Sequence, residues 1–429
     1  MTKLHVFMNQ ERAGEITLLD EQGQMELTYH PGWLERGGFP ISPHLQQNPA
    51  LLIPNSLRNF LSNLLPEGTW LEDLSIQTGC SKWDVFGLLA ANGAETAGAL
   101  SFSLDEGGAP LPTSFREIPG PELAERIAAR KNVSIAVWDE KQRLSVAGVQ
   151  AKLPVLIRPD GVMGFGEGEL ASTHLLKFGK DPEEHLVVNE YLCMKLAKAV
   201  GLPVAEVSLE RFGEPVLSVL RFDRLWREDK VERLHLIDGC QLLNIPPTYK
   251  YERPFGKGGH TAGLRTGASL PLLFNACRTY CSVPAAATKQ LLDWTLFQLL
   301  IGNSDAHGKN ISFFVGRDGI SVAPAYDMVC LDLYKYDREL AMAVGDCFDL
   351  DEVASFALAE MCEECRLPRR LTAKFLKELC EKTLRALGSQ QLPGLTDEEE
   401  AFAARLKASI AVRIERLQKI ALDLPKIEL

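Results

Sequence analysis

The chain has little with which to grip a nucleic acid. Its 57 Asp and Glu outnumber its 46 Lys and Arg, a formal net charge of −11, whereas a broad nucleic-acid surface needs an excess of the opposite sign. Long hydrophobic runs are also missing. The most apolar stretch, Leu291 to Ile301, contains Asp293 and Gln298 and is shorter than the ~20 residues that span a bilayer, so no membrane association is expected. The N-terminus lacks the apolar core of a secretion signal. The ten cysteines are scattered through a large chain, the usage of reduced core thiols, so a cytoplasmic setting is expected. Cys362-x-x-Cys365 has no second Cys or His pair nearby and falls short of the four ligands of a zinc site. There is no internal repeat, no low-complexity tract, no Walker A loop and no Gly-x-Gly-x-x-Gly loop. What is present is a folded composition, 46% hydrophobic and 24% charged, over 429 residues, more than one core usually holds.

The patterning predicts an α+β protein in several parts. Residues 1–105 read as a separate subdomain: Leu4–Met8, Ala13–Leu19, Met25–Tyr29 and Ala97–Leu104 alternate as strands do, and Ser56–Leu65 and Asp84–Ala91 are helix-like. Residues 106–140 carry Gly- and Pro-rich stretches around one short helix, Glu122–Ala129, a linker signal. Residues 141–234 read as a strand-rich lobe, with Lys152–Ile157 and Thr173–Phe178 as strands and Gly164-Phe165-Gly166-Glu167-Gly168 as a hairpin loop. A helix over Glu183–Val200, ended by Gly201, and a hairpin around Gly213 complete it. Residues 235–429 read as helical, interrupted by one hairpin at 311–326.

Phosphoryl transfer asks little covalent chemistry of a protein. It needs a carboxylate to orient the nucleophile, ligands for a divalent metal and a cation on the phosphates. Asp305 and Asn310 stand five residues apart on a polar turn that also holds His307 and Lys309, delivered by the helix Leu291–Ile301. A strand–turn–strand follows and then Asp327. Strand pairing would return Asp327 beside Asn310, giving two oxygen ligands of the kind Mg²⁺ prefers, with Asp305 as base. A surface turn followed by an ordinary hairpin is the competing reading. Upstream, Lys177 ends a strand and suits the phosphate lysine of a kinase. Glu190 in the next helix is its expected partner, with Glu184 second, and the competing reading is a lysine snorkelling from a strand end. The turn Ser145-Val146-Ala147-Gly148 before Lys152 offers backbone N–H groups to phosphates. Arg221-Phe222-Asp223 is either an adenine hinge or a strand-end salt-bridge cluster.

These pieces taken in order resemble the HipA toxin kinases. They are Ser145–Lys152, Thr173–Lys177, Asn189–Cys193, Arg221–Arg224, Tyr249-Lys250-Tyr251-Glu252, Gln298–Asn310 and Ala325–Met328, with Asn63–Gly68 and Asp84–Leu89 looking like the family's N-terminal subdomain. The resemblance implies a protein-kinase-like two-lobe fold, with a β-rich N-terminal lobe and a helical C-terminal lobe. It implies a serine/threonine kinase of a type II toxin–antitoxin module that uses ATP and Mg²⁺. By that resemblance Asp305 is the base and Asn310 and Asp327 hold the metal. Lys177 touches the phosphates, as Lys152 would, and Arg221–Asp223 form the adenine hinge. Ser145 matches a serine that such kinases autophosphorylate; adding roughly −1.5 to −2 charges beside a phosphate-binding turn would eject it. The implied partners are a small basic helix-turn-helix antitoxin of the HipB kind, with DNA reached only through it, and a protein substrate such as an aminoacyl-tRNA synthetase. A kinase-like corepressor, or a small-molecule or lipid phosphotransferase, are the other functions the scaffold allows. Arg253–Gly267 and Tyr334–Asp337 are this chain's own.

Overall fold

The computed structural model describes residues 2–429 except 21, 49–52, 54, 108–111, 140, 143–151, 180–183, 262 and 337. Among them the chain opens with β1 (Lys3–Met8), β2 (Glu11–Leu18), β3 (Met25–Tyr29), α1 (Pro31–Glu35), α2 (Ser56–Ser62), α3 (Thr69–Thr78), α4 (Val85–Asn92), β4 (Leu100–Ser103), β5 (Ser114–Glu117) and α5 (Gly120–Ala129). A short pair, β6 (Val137–Trp138) and β7 (Lys141–Gln142), precedes β8 (Lys152–Ile157), β9 (Met163–Glu167), β10 (His174–Phe178), α6 (Leu186–Ala199), β11 (Val207–Arg211) and β12 (Pro215–Leu220). Next come β13 (Arg224–Arg227), β14 (Lys230–Arg233), β15 (Leu236–Asp238), α7 (Gly239–Leu242), α8 (Leu270–Tyr280) and α9 (Pro284–Ile301). The chain closes with β16 (Ser312–Gly316), β17 (Gly319–Val322), β18 (Glu339–Val344), β19 (Cys347–Asp349), α10 (Ser355–Glu364), α11 (Arg369–Ser389) and α12 (Asp397–Asp423).

Two compact units result. The first comprises Met1–Lys180, Glu210–Ile237 and Phe314–Gly319; the second comprises Asp181–Leu209, Asp238–Phe313 and Ile320–Leu429.

In the first unit, β1 and its neighbours form an antiparallel sheet in the order β3-β2-β1-β4. Leu4, Val6, Ala13 and Ile16 are buried in it. A six-stranded sheet in the order β11-β12-β10-β8-β9-β5 follows. Its core joins Leu153, Val155, Phe165, Leu176, Phe178 and Val216 to Leu123 and Ile127 of α5. Two sequence expectations change here. The stretch Gly164–Glu167 is not a hairpin loop but part of β9, paired with both β8 and β5. The expected linker contributes β5, the edge strand opposite it. The glycines misled because they permit close approach rather than a turn. A Cβ on Gly164 would stand 2.3 Å from the Arg116 carbonyl oxygen, and one on Gly166 2.1 Å from that of Leu170.

The second unit is built around α9. Leu291, Leu296, Phe297, Leu300 and Ile301 are fully buried, and α8, α11 and α12 pack against this helix. A helix apolar on most of its circumference belongs at the centre of a domain. The capping box Thr396-x-x-Glu399 starts α12, the Thr396 N–H donating to Glu399 Oε2 at 2.9 Å. The division at 234/235 read from the sequence put α6 with the strands, yet this helix packs on α11 and α12. Its buried Asn189 clamps Cys330 by both main-chain groups: Nδ2 donates to the carbonyl at 2.7 Å and Oδ1 accepts from the N–H at 2.9 Å.

Candidate active site

The loop after α9 is shaped by its own polar side chains. Gly302, at φ 75°, ends the helix in the left-handed conformation that a Cβ disfavours. Asn303 then bridges back and forward: its Nδ2 donates to Gln298 Oε1 at 2.9 Å, and its Oδ1 accepts from the Asp305 N–H at 3.1 Å. The Asp305 carbonyl accepts from the His307 N–H at 2.8 Å and from Asn310 Nδ2 at 3.2 Å. The result is a turn in which Asn303, Ser304, His307, Lys309 and Asn310 are buried while the Asp305 carboxylate is exposed. Inward donation by the Asn310 amide nitrogen commits that atom and turns the oxygen into the group suited to a cation.

The hairpin of β16 and β17 brings the chain back. Ala323 donates its N–H to the Ser312 carbonyl at 2.9 Å. Tyr326 then donates its phenol to the Lys309 carbonyl at 2.7 Å, and Ser312 Oγ stands 2.8 Å from the phenol oxygen. The residue before Asp327 is thus fastened to the residue before Asn310. Burial, then the nearby Asp238 and Asp327 carboxylates, push the Tyr326 phenol well above its ordinary range, so it stays a donor. Asp327 itself sits at φ 57°, a left-handed conformation uncommon for a residue with a side chain and concentrated at functional sites.

Lys309 has a different setting from the one its place in the loop suggests. Its ammonium pairs with Asp238 at 2.5 Å, both nearly buried, while Asp238 also caps α7 by accepting from the Gln241 N–H at 2.8 Å. His307 is buried with its ring edge-on to Tyr251, centroids 5.2 Å apart. Tyr251 in turn donates its hydroxyl to Asp305 Oδ1 at 2.9 Å. Asp238, Tyr251 and Tyr326 went unassigned at the sequence level. The Asp238-x-x-Gln241 spacing of a capping box was a usable signal for the first. Tyr251 lay in a block singled out without a role.

Upstream, Lys177 is buried on β10, registered opposite Lys152 of β8. Glu190 is buried in α6. Ser145, Val146, Ala147 and Gly148 lie outside the described residues.

Arg221 and Asp223 resolve toward the salt-bridge alternative. Arg221 Nε and Nη2 donate to the two Asp223 oxygens at 3.0 and 2.9 Å, and Arg224 Nη1 donates to Oδ2 at 2.6 Å. The Gly98 N–H adds a bond of 2.9 Å. Burial raises the Asp223 carboxyl, but the two guanidiniums outweigh it and hold the group far below the usual range. The main chain is used too, since the Arg221 N–H donates to the Thr173 carbonyl and the Asp223 carbonyl accepts from Leu234, both at 2.9 Å. Of the trio expected at an adenine hinge, only Phe222 is half-buried, its ring edge-on to Phe314.

Comparison with known proteins identifies the family. Residues 4–103 match the family described as the HipA N-terminal domain and residues 144–387 the HipA-like C-terminal domain. The serine/threonine-protein kinase toxin HipA of Shewanella oneidensis is 38% identical over 420 residues, covering 96% of this chain and 95% of that protein. The Sinorhizobium fredii protein Y4mE is 30% identical over 397 residues, covering 90% of each. The solved complex of Shewanella oneidensis HipA, HipB and its operator DNA has a chain that matches with a TM-score of 0.90 at 37% identity, over 99% of this chain and 100% of that one. Family matches along both segments and relatives 38% and 30% identical over most of the chain lead to one conclusion: the chain belongs to the HipA family of serine/threonine-protein kinases.

Proposed function

We propose that this protein is the kinase toxin of a toxin–antitoxin module and transfers the γ-phosphoryl group of ATP to a serine or threonine hydroxyl on a protein. One observation carries the reading. The Tyr326 phenol is bonded to the Lys309 carbonyl, which fastens the residue before Asp327 to the residue before Asn310 and supports a site shared by the two. In this reading Asp305 accepts the substrate hydroxyl proton, and the Asn310 and Asp327 oxygens hold Mg²⁺, which neutralises charge on the phosphates. Lys152 and Lys177 are the cations for the phosphate chain, and Ser145 is the autophosphorylation site. The Asp238–Lys309 ion pair gives Lys309 a supporting role, holding the loop rather than meeting substrate. A protein-kinase-like two-lobe architecture is part of the same reading.

The Shewanella complex contains HipB and operator DNA. That supports a HipB-like antitoxin here, with DNA reached through it, and a net charge of −11 suits a basic partner. A translation protein such as an aminoacyl-tRNA synthetase is the proposed substrate.

Incubation of the purified protein with radiolabelled ATP and cell lysate tests the proposal. Magnesium-dependent labelling of a protein band is expected, together with a phosphopeptide containing Ser145 in mass spectra. Both are expected to disappear in Asp305→Asn and Asp327→Asn. A labelled small metabolite in place of a protein band would overturn the protein-kinase assignment.

A further inference from the structure

An exposed aspartate at the tip of a loop is a poor base unless something fixes its carboxylate. The main chain of Asp305 is well held, as its N–H and carbonyl bonds show, but the side chain reaches out into solvent. Catalysis of phosphoryl transfer to a hydroxyl depends on geometry, and a carboxylate that samples several rotamers spends only part of its time in the productive one. The structure supplies a fixture. Tyr251 donates its hydroxyl to Asp305 Oδ1 at 2.9 Å.

Tyr251 is itself held on several sides. Its ring lies edge-on to the buried His307 ring, at an interplanar angle of 89°, and Lys250 Nζ stands 5.4 Å from the ring centroid. Its neighbours are pinned to the loop and to β18. The Lys250 carbonyl accepts from the Gly308 N–H at 2.9 Å, and Glu252 donates its N–H to the Ala341 carbonyl at 2.8 Å. The Glu252 carboxylate, 2% exposed, accepts from the Ala343 N–H at 2.7 Å and from Arg265 Nε at 2.5 Å. Ala341 in turn donates to the Ser304 carbonyl, one residue before Asp305, at 2.8 Å. One frame therefore fixes both ends of the Tyr251–Asp305 hydrogen bond.

We propose that Tyr251 is a positioning residue for phosphoryl transfer: its hydroxyl fixes the Asp305 carboxylate in the orientation that receives the substrate hydroxyl. A carboxylate has two oxygens and about four acceptor positions, so bonding to Tyr251 leaves acceptor capacity for substrate. Hydrogen bonds to a charged group are the strong ones, so this bond holds the carboxylate firmly. The proposal rests on Asp305 being the base.

A double-mutant cycle on the full-length protein tests it, with kcat, KM for ATP and nucleotide binding measured for wild type, Tyr251→Phe, Asp305→Asn and the double variant. Phe keeps the ring against His307 and removes only the hydroxyl. Tyr251→Phe is expected to lower kcat about tenfold or more, leaving KM for ATP and nucleotide binding within about twofold. On the Asp305→Asn background the same change is expected to have almost no effect, because the group it acts through is gone. An equal loss in both backgrounds, or an unchanged kcat, would overturn the assignment. So would a faster Tyr251→Phe enzyme with a lower KM for its protein acceptor, since Tyr251 would then be blocking the base. If Asp305→Asn alone is as active as wild type, the assignment of Asp305 as base falls and takes this inference with it. An inactive Asp305→Asn beside a fully active Tyr251→Phe removes the inference only.

Discussion

Two clusters of charged residues invite comparison: the loop Asp305–Asn310 and the group around Arg221, Asp223 and Arg224. From their residue types either could be a binding site. They differ in what their carboxylates meet. Asp223 is 4% exposed and accepts from two guanidiniums and a main-chain N–H. Asp305 is exposed, and the Tyr251 phenol donates to its Oδ1. A carboxylate surrounded by cations in a dry interior has its electrostatic demand met by the protein, so its role is to hold elements together. Here it ties the Gly98 segment to the strand-end residues Arg221 and Arg224. A carboxylate left outward on a fixed turn keeps capacity for something that arrives. Charge alone does not mark function; the exposure of the charge and the frame that carries it do.

The sharpest way to break this contrast is to neutralise both aspartates. Asp305→Asn is expected to cost on the order of a thousandfold in phosphotransfer while moving stability by no more than about 0.5 kcal/mol, read from kcat and a urea titration. Asp223→Ala is expected to do the reverse in kind, losing about 3–5 kcal/mol of folding stability because two buried guanidiniums lose their counter-ion. Activity lost there should follow the unfolded fraction. Equal stability losses at the two positions would erase the distinction.

His235 sharpens the contrast further. It is 3% exposed, its Nε2 donates to the Ile41 carbonyl at 2.8 Å, and burial pulls it down from 6.5 to about 4. Above pH 6.5 the ring is neutral in both the folded and the unfolded chain. As pH falls from 6.5 towards 4, the unfolded chain takes up a proton that the folded chain refuses. Stability from this group is therefore lost across that window, by about 3 kcal/mol, with no further loss below it. Urea midpoints measured between pH 7 and 4, with and without His235→Asn, check the slope. The smallest effect sets the scale of an ordinary polar contact. Thr396→Ala, which removes the α12 capping box, is expected to cost about 1 kcal/mol by thermal melt and to leave kcat alone.

Much of the candidate site was legible along the chain. Asp305 and Asn310 share one turn, and Asp327 follows one hairpin, so local spacing carried the information; the bond from Tyr326 to the Lys309 carbonyl joins the end of that hairpin to the turn. Strands read from period-two alternation, β1 to β3, were legible for the same reason. The glycines of β9 were not, because a turn and a close strand-to-strand approach ask for the same residue. The partner of Asp305 was not either: Tyr251 lies 54 positions away, and nothing in a tyrosine's neighbours says where its hydroxyl ends.

The sequence by itself determined the family and the position of the polar turn, since each rests on residues close together in the chain. Only the tertiary structure decided which charges are spent. It put Lys309 on Asp238, closed Arg221 and Arg224 around Asp223, and left the Asp305 carboxylate facing outward under Tyr251. The physical reason is that an ion pair or a long-range hydrogen bond depends on which surfaces the core packing brings together, and that packing sums contributions from the whole chain.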